Sequence, residues 1–362
     1  MKIAVIGAGI FGSEISLKLA REGHEVHLFE KEFEILKGAT AGSQNRLHMG
    51  LHYPRDLQTA TQSRSGYFKF KDRFGDAIRE DFPSYYAISS IDSKVNSKEF
   101  EDFATSAGIQ IQRLEKSEIS LPINGKLIDQ LYLTQEGVID LDELRKIIQR
   151  ELDKSQVAIH LNSKVRCIIK NKTGHFLLES DCNSDTFQIV IRATYGVDEI
   201  KVNTNLRNFE YQQTLVLSIK ADLEPAGYTV MDGDFLTLLP HGFTSNFLIY
   251  GPSLSTLSKH VGSTPPSKWV VGDTSKGTIA RARKQLINRT QQYFPELIEI
   301  EVLEELCAIR SIDPTVKSTD RRISRVSETE SGFFEVWSGK IDHCIDVSEE
   351  ISDLVAGRRD IN

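Results

Sequence analysis

Cysteine is scarce in this sequence, and its four copies do not form close pairs. The chain of 362 residues contains Cys167, Cys182, Cys307 and Cys344. This scatter fits neither a zinc site nor a disulfide framework, since both need characteristic paired spacings. We therefore expect reduced thiols, no metal-ligand set and a cytoplasmic location.

Clustered positive charge and long apolar runs are also lacking. The formal net charge is −7. Nucleic-acid binding requires clustered positive charge against the phosphates, so we expect no nucleic-acid partner. No run of about 18 apolar residues is present, so no transmembrane helix is predicted. The composition, 40% hydrophobic and 26% charged, indicates a globular chain rather than a disordered or fibrous one.

The first residues form a nucleotide-binding pattern. The β-branched run Lys2–Ile6 predicts a buried strand, and Gly7, Gly9 and Gly12 follow it as G-x-G-x-x-G. A helix is predicted over 13–22. Gly7 permits a tight turn, Gly9 leaves space for a pyrophosphate, and Gly12 lets the helix pack closely on the strand. The helix N-terminus would supply amide donors to the phosphates.

A second strand completes this unit. It is predicted over 25–29 and ends at Glu30, whose carboxylate can accept both hydroxyls of an adenosine ribose. The neighbouring Ile10, Phe11 and Lys31 are expected to contact the same ligand. Strand, glycines, helix, strand and acid in this order predict a dinucleotide site, but they do not separate FAD from NAD.

The loop after the second strand points to one cofactor. Within residues 37–55, a small hydroxyl-rich stretch leads into Leu47-His48-Met49-Gly50-Leu51-His52-Tyr53. This resembles the D-amino-acid oxidase-like FAD superfamily, which includes glycine oxidase, L-2-hydroxyglutarate dehydrogenase and FAD-dependent glycerol-3-phosphate dehydrogenase. The resemblance implies FAD, non-covalently bound because no histidine or cysteine stands at a recognised linkage motif. It places His48 near the isoalloxazine ring and these residues on the cofactor: Thr40, Ala41, Ser43, Arg46, Leu47.

Three later segments, 157–169, 189–200 and 334–354, resemble the same family. The resemblance puts the backbone of Val165 at the adenine, and Ala193 and Thr194 at the dinucleotide. It puts the Gly-Lys-apolar run Gly339, Lys340 and Ile341 at the pyrimidine edge of the flavin. Amides at that edge can stabilise the anionic reduced flavin. The sequence departs from the family at Tyr195, where glycine is usual, unless Gly196 is that glycine after one inserted residue. It also has Ser338-Gly339 where the family has two glycines.

The predicted fold class is α/β, or α+β overall, with a discontinuous Rossmann-type FAD-binding domain and an inserted, mostly antiparallel β-sheet substrate domain. The FAD-binding domain would comprise 1–77, 139–204 and 325–362. The substrate domain would comprise 78–138 and 205–324. The elements predicted inside these segments are a helix capped by Asp140 and Glu143, strands over 164–170, 175–179, 187–192, 213–220, 235–239 and 246–250, and helices over 278–294 and from near Asp346 to Gly357.

Substrate chemistry needs an acceptor for a proton and an anchor for the substrate. His48 is the candidate base or polariser, and its alternative role is only structural. Arg310, in an apolar-Arg segment that resembles the family's anchor, is the candidate clamp for a carboxylate or phosphate, with a surface ion pair as the alternative. The further substrate-binding candidates are His52, Tyr53, Tyr250 and Arg322.

The leading interpretation is an FAD-dependent oxidase or dehydrogenase that moves a hydride from a CH–OH or CH–NH carbon of a small, anionic substrate to flavin N5. The electron acceptor, whether oxygen, quinone or protein, stays open. The runner-up is a non-redox sugar-ring isomerase of the UDP-galactopyranose mutase type. A non-catalytic FAD-binding protein and a nicotinamide-dependent dehydrogenase come third and fourth.

Overall fold

The structure, a computed structural model, describes residues 1–202, 207–314 and 324–358. Its α-helices in these ranges are α1 Ile10–Arg21, α2 Leu57–Phe74, α3 Ser97–Ser106, α4 Leu141–Lys154, α5 Pro252–Ser255, α6 Ser267–Val270, α7 Lys276–Tyr293 and α8 Cys344–Ala356. Its strands there are β1 Lys2–Ile6, β2 Glu25–Phe29, β3 Arg46–Leu47, β4 Ile78–Arg79, β5 Ser84–Ser89, β6 Gln112–Leu114, β7 Ile128–Thr134, β8 Gly137–Ile139, β9 Ala158–His160, β10 Val165–Lys170, β11 Phe176–Ser180, β12 Ser184–Phe187, β13 Ile189–Arg192, β14 Lys201–Val202, β15 Phe209–Lys220, β16 Gly227–Met231, β17 Thr237–Pro240, β18 Phe247–Tyr250, β19 Thr256–Gly262, β20 Glu301–Ile312, β21 Arg325–Glu330 and β22 Phe333–Trp337.

The first strand of the chain belongs to a six-stranded sheet with the strand order β21-β22-β13-β1-β2-β9. Its neighbours are parallel except β21, which is antiparallel to β22. β1 and β2 have the predicted bounds, because short β-branched runs buried on both faces are typical of parallel sheets. The strands of this sheet come from 1–77, 139–204 and 325–358.

Helices cover one face of that sheet. α1 packs against α8 and α4, and the shared core includes Ile15, Ile148 and Ile351, all fully buried. Asp140 caps α4 as predicted, with its Oδ1 accepting the amide of Glu143 at 2.9 Å. The first helix was predicted from residue 13, which is wrong. α1 begins at Ile10 because the glycine turn feeds directly into it.

A four-stranded sheet, β12-β11-β10-β14, lies next to the first. The single strand predicted over 187–192 is wrong. The structure has two strands there, β12 in the four-stranded sheet and β13 in the six-stranded sheet. The apolar run therefore crosses from one core to the other, and Phe187 packs in a core shared by both sheets.

A nine-stranded sheet forms from β5–β7 and β15–β20. It is antiparallel except for the pairing of β16 with β5. α7 packs against it through Leu286. The strand predicted from 235 begins instead at Thr237, because Phe235 has a φ of +54°, which a strand does not allow.

The last helix also starts earlier than predicted. α8 begins at Cys344, and its N-cap is His343 rather than a residue near Asp346. The acidic pair Asp346 and Glu349 is not a capping pair, since both carboxylates bind the ammonium of Lys69 on α2. A small three-stranded sheet, β3-β8-β4, connects the two large parts of the chain.

Candidate active site

One cavity of about 1210 Å³ lies between the six-stranded and nine-stranded sheets. Small-molecule pockets commonly measure about 300–1,000 Å³, so this cavity has room for a dinucleotide and a substrate together. It opens at the carboxyl ends of β1 and β2, where parallel sheets bind ligands.

The glycine turn forms one end of the cavity. Gly7 has a φ of +98°, and a Cβ there would meet the carbonyl oxygen of Ala193 at 2.9 Å. A Cβ on Gly12 would lie 1.9 Å from the carbonyl oxygen of Gly7, so this residue permits the close packing of α1 on β1 and does not line the cavity. Gly9 lines the cavity, and it gives α1 no side-chain cap. The amide of Ile10 makes only a long contact with Thr40 Oγ1, at 3.4 Å, so the positive end of this helix remains open to an anion.

Glu30 lies beside this turn, at the end of β2. Its carboxylate accepts the amide of Ala8 at 2.7 Å and that of Glu32 at 3.0 Å. Burial raises the pKa of the Glu30 carboxyl, and the two amides oppose that shift. Ile10, Phe11 and Lys31 also line the cavity.

The segments that sequence analysis assigned separately to the cofactor meet along the same cavity. The lining includes residues from the loop after β2, from the adenine segment, from the end of β13 and from the turn before α8. They are Thr40, Ala41, Ser43, Arg46, His48, Val165, Ala193, Thr194, Gly339, Lys340 and Ile341.

The position of Leu47 differs from the prediction that its side chain lies on the cofactor. Its side chain is fully buried in the core and does not line the cavity. Successive residues of a strand point to opposite faces, so in the two-residue strand β3 Arg46 faces the cavity and Leu47 faces the core.

Arg46 is also committed to a partner that the sequence did not indicate. Its Nε donates to Glu136 Oε2 at 2.7 Å, and its guanidinium forms a buried ion pair with that carboxylate. A second donor reaches the phenol oxygen of Tyr86 at 2.8 Å. Its remaining nitrogen, NH1, is buried without a hydrogen-bond partner in the described part of the chain.

Two histidines stand next to this ion pair. The rings of His48 and His52 are 4.4 Å apart, and both line the cavity. Burial lowers the pKa of each well below the usual 6.5, and the cations of Lys340 and Arg46 lower both further. Both imidazoles are therefore neutral at neutral pH.

The two histidines and Glu136 bring possible metal-ligand atoms within 4.8 Å of one another. The pair His48-x-x-x-His52 is visible in the sequence, and the prediction of no metal-ligand set overlooked that spacing. The carboxylate, however, is already held by Arg46 and by the phenol of Tyr86. A guanidinium in this position repels a cation, so the cluster is built as a hydrogen-bond network.

Lys340 brings a buried cation to the same end of the cavity. Its ammonium donates to Ser63 Oγ on α2 and lies 4.9 Å from the ring centroid of Tyr53. The carboxylate of Asp342 is 3.8 Å away. Tyr53 also lines the cavity.

Arg310 lies across the cavity on β20. Its NH1 donates to the phenol oxygen of Tyr250 at 2.8 Å, and its NH2 donates to Gln212 Oε1 at 2.6 Å. Its Nε is buried without a partner among the described residues. Arg310 and Tyr250, two separate candidates from the sequence, thus meet at the cavity wall, whereas Arg322 lies outside the described residues.

Sequence analysis missed Tyr86, Glu136 and Gln212. Tyr86 and Glu136 stand 40 and 90 residues from Arg46 along the chain. No motif links them, because sheet pairings create their proximity. β3 pairs with β8, which follows Glu136, and β5, which carries Tyr86, pairs with β7, which ends at Thr134. A buried strand tyrosine is more often a core residue, so only the structure reveals its role.

The Rossmann-type sheet, the glycine turn and the cavity define a dinucleotide-binding protein whose site extends to a second polar end. Residues 2–336 match the family model described as FAD dependent oxidoreductase. The chain belongs to this family, and its cofactor is FAD. The residues present fit that cofactor, because the uncapped end of α1, the open space at Gly9 and the acid Glu30 lie along one cavity of sufficient volume.

Similar proteins agree with this assignment. The FAD-dependent monooxygenase FPY4 of Fusarium mangiferae is 25% identical over 354 residues, covering 98% of this chain and 90% of that protein. The FAD-bound L-alpha-glycerophosphate oxidase of Mycoplasma pneumoniae has a TM-score of 0.75 at 16% identity, covering 98% and 94% of the two chains. Glycine oxidase of Geobacillus kaustophilus has a TM-score of 0.74 at 15% identity, covering 98% and 94%. The two structural likenesses show the fold.

Among the described residues, no helix is both long enough and apolar enough to cross a membrane.

Proposed function

We propose that this FAD-dependent oxidoreductase oxidises a small polar, anionic substrate at a CH–OH or CH–NH carbon. Bound FAD supplies the acceptor for the hydride at N5. In this proposal the segments 1–77, 139–204 and 325–362 hold FAD, and the segments 78–138 and 205–324 hold the substrate. The residues of the chain bind the substrate, orient its carbon and manage its proton.

The observation that supports an anionic substrate is the environment of Arg310. Its two described partners, Tyr250 and Gln212, are neutral. No carboxylate pairs with this guanidinium among the residues described, so its charge at the cavity wall is not compensated by an ion pair. A buried or half-buried cation gains most from a charged partner, and a guanidinium binds a carboxylate or phosphate through two parallel hydrogen bonds.

The partners of Arg310 also fix its orientation. Gln212 Nε2 donates to Glu210 Oε1 at 2.7 Å, which leaves the amide oxygen of Gln212 directed to Arg310. Tyr250 holds the other end of the guanidinium. An anchor held from two sides keeps the substrate carbon in one place, and such positioning supplies much of the rate of bimolecular chemistry.

The opposite wall supplies His48, which the family resemblance places near the isoalloxazine ring. It is neutral and buried, because burial first and the positive charge of Lys340 next hold its pKa well below 6.5. We assign it the polarisation of the reacting group. His52 and Tyr53 complete this wall beside it.

An anaerobic titration of the purified holoprotein tests the proposal. Small hydroxy acids, amino acids and their phosphorylated analogues are added in turn while the visible absorbance of the flavin is followed. We expect at least one anionic compound to bleach the flavin, and its uncharged ester or amide to bleach it far more slowly. Bleaching by the neutral and anionic forms at equal rates would contradict the role of Arg310.

A second candidate function is monooxygenation, which the name of the similar Fusarium protein favours. The same protein supplied with ¹⁸O₂ separates the two functions. A monooxygenase places ¹⁸O in its organic product, whereas an oxidase places it in hydrogen peroxide. The isomerase alternative would convert a sugar nucleotide without net bleaching of the flavin, and the match to an oxidoreductase family supports the redox reaction instead.

A further inference from the structure

The phenol of Tyr86 connects three charged or titratable side chains. Its oxygen lies 2.6 Å from Glu136 Oε1, 2.8 Å from His52 Nδ1 and 2.8 Å from the NH2 of Arg46. A phenol has one proton to donate and can accept two hydrogen bonds. These three contacts therefore use its full hydrogen-bonding capacity, and each proton in the network can be assigned.

Two of the three contacts have a fixed direction. Arg46 is a donor in every protonation state that proteins allow, so it donates to the phenol. Glu136 is the counterion of this buried guanidinium, and neutralising it would leave an uncompensated buried charge. As a carboxylate it only accepts, so Tyr86 donates its single proton to Glu136.

The third contact follows by elimination. With its own proton given to Glu136, Tyr86 can only accept from His52. His52 is neutral, so its one ring proton is on Nδ1 and its Nε2 carries a free lone pair. No hydrogen-bond partner of that Nε2 occurs among the described residues, and His52 lines the cavity.

His48 is held in the opposite tautomer. The amide of Gly50 donates to His48 Nδ1 at 3.1 Å, so that nitrogen is an acceptor. The ring proton of a neutral His48 is therefore on Nε2. The two neighbouring imidazoles, whose ring planes are inclined by 32°, thus present one N–H donor and one lone pair to the same end of the cavity.

The geometry points to His52 Nε2 as the general base of the reaction, with His48 Nε2–H as the donor that polarises the reacting oxygen or nitrogen. This inference rests on the proposed function. In the step, the substrate C–H bond breaks and its hydride, with the electron pair, passes to oxidised FAD. The O–H or N–H bond breaks, its proton passes to His52 Nε2, and its electron pair forms the C=O or C=N bond.

Tyr86 and Glu136 are positioning residues in this account. They hold His52 with Nδ1 protonated, and the negative charge of Glu136 stabilises the imidazolium that forms, in the way that a carboxylate supports a catalytic histidine. The charged and titratable groups that surround His52 are His48, Arg46, Tyr53, Glu136, Tyr86 and Lys340.

The tautomers can be read without any substrate. Long-range ¹H–¹⁵N correlation spectra of the holoprotein, labelled with ¹⁵N-histidine and assigned with single His→Gln variants, report which nitrogen carries the proton. We expect His52 protonated at Nδ1 and His48 at Nε2. Tyr86→Phe should release the His52 tautomer, while Tyr132→Phe, which removes the same atom from its cross-strand partner, should leave it unchanged. Protonation of His52 at Nε2 in the wild type would overturn the inference.

Kinetics then separate the base from the overall function. With a substrate that bleaches the wild-type flavin, His52→Gln should slow anaerobic reduction about 10²–10⁴-fold. Tyr86→Phe should slow it less, by about 10-fold. Glu136→Gln should move the acid limb of the rate profile to lower pH, because it removes the negative charge that favours imidazolium. A wild-type rate in His52→Gln would refute the base and leave the oxidation intact. If no compound bleaches the wild type, the proposed function fails while the spectra still decide the tautomers.

Discussion

The two ends of the cavity are built in different ways. The nucleotide end uses backbone amides, three glycines and one acid within the first thirty residues, in the order that a strand, turn and helix impose. The other end uses side chains from distant segments, such as Arg46, Tyr86 and Glu136, or Gln212, Tyr250 and Arg310. A dinucleotide needs only a fixed backbone shape, whereas a reacting substrate needs oriented donors and acceptors. The nucleotide end is therefore local in sequence, and the reacting end depends on the tertiary fold.

The largest expected effect is the loss of FAD from the nucleotide end of the cavity in a variant that still folds. A Cβ on Gly9 would meet only Thr40 Oγ1, at an ordinary contact distance of 3.6 Å. Gly9→Val should therefore fold, yet lose FAD, because its side chain occupies the space of the pyrophosphate. The flavin retained after gel filtration measures this loss.

The matched variant at the same turn is Gly12→Ala, whose Cβ would stand 1.9 Å from a carbonyl oxygen. It should lower the thermal midpoint of the protein, since the helix must move away from the strand. Gly277→Ala, with 3.8 Å of clearance, is the control for both. Normal FAD retention in Gly9→Val would show that the phosphates lie elsewhere.

The next largest effect concerns the substrate end. Arg310→Lys keeps the charge but loses the two-pronged geometry, so kcat/KM for an anionic substrate should fall by about 2–4 kcal/mol in transition-state stabilisation. FAD content and the thermal midpoint should stay near the wild-type values. Arg281→Lys, on the exposed face of α7, is the control. Equal kinetics in Arg310→Lys and the wild type would show that Arg310 does not bind the anionic group of the substrate and has only a structural role.

A smaller effect is expected at Glu30. In the wild type both carboxylate oxygens of Glu30 accept backbone amides. Glu30→Gln replaces one of these oxygens by an NH2 group, which can only donate. FAD binding should weaken by roughly 1.5–3 kcal/mol, the scale of a hydrogen bond to a charged group. Isothermal titration of the apoprotein measures the change, with the exposed Glu25→Gln as reference. An FAD affinity equal to that of the reference variant would show that Glu30 does not bind the ribose.

The last expected effect is the dependence of the free energy of unfolding on pH. His48 and His52 are buried and neutral, with pKa values well below the usual 6.5. As pH falls below 6.5 the unfolded chain takes up protons that the native state does not. The free energy of unfolding should therefore decrease by up to about 1.4 kcal/mol per pH unit for each histidine.

Denaturant unfolding at saturating FAD over this pH range measures that slope. The variant His48→Asn/His52→Asn should have a shallower slope than the wild type, and the exposed His175→Asn should keep the wild-type slope. An unchanged slope in the double variant would mean that these rings are not held neutral by burial.

The contrast between the two ends of the cavity also explains which parts of the fold and of the site could be predicted from the sequence. The strands 2–6 and 25–29, the cap at Asp140 and the FAD family followed from local patterns. Errors occurred where tertiary context decides. Leu47 enters the core through strand alternation, and the run 187–192 divides between two sheets. Tyr86 and Glu136 have no local signature, because a sheet pairing brings them to Arg46.

The central claim is that one cavity holds FAD and an anionic substrate so that the carbon of the substrate reduces the flavin directly. Stopped-flow reduction under anaerobic conditions, at saturating substrate, compares a protiated anionic substrate with the same compound deuterated at the reacting carbon. The account predicts that the deuterated substrate bleaches the flavin more slowly, and that Arg310→Lys raises the concentration needed for saturation. Bleaching at the same rate with both isotopologues, or no bleaching with any anionic hydroxy or amino compound, would contradict it.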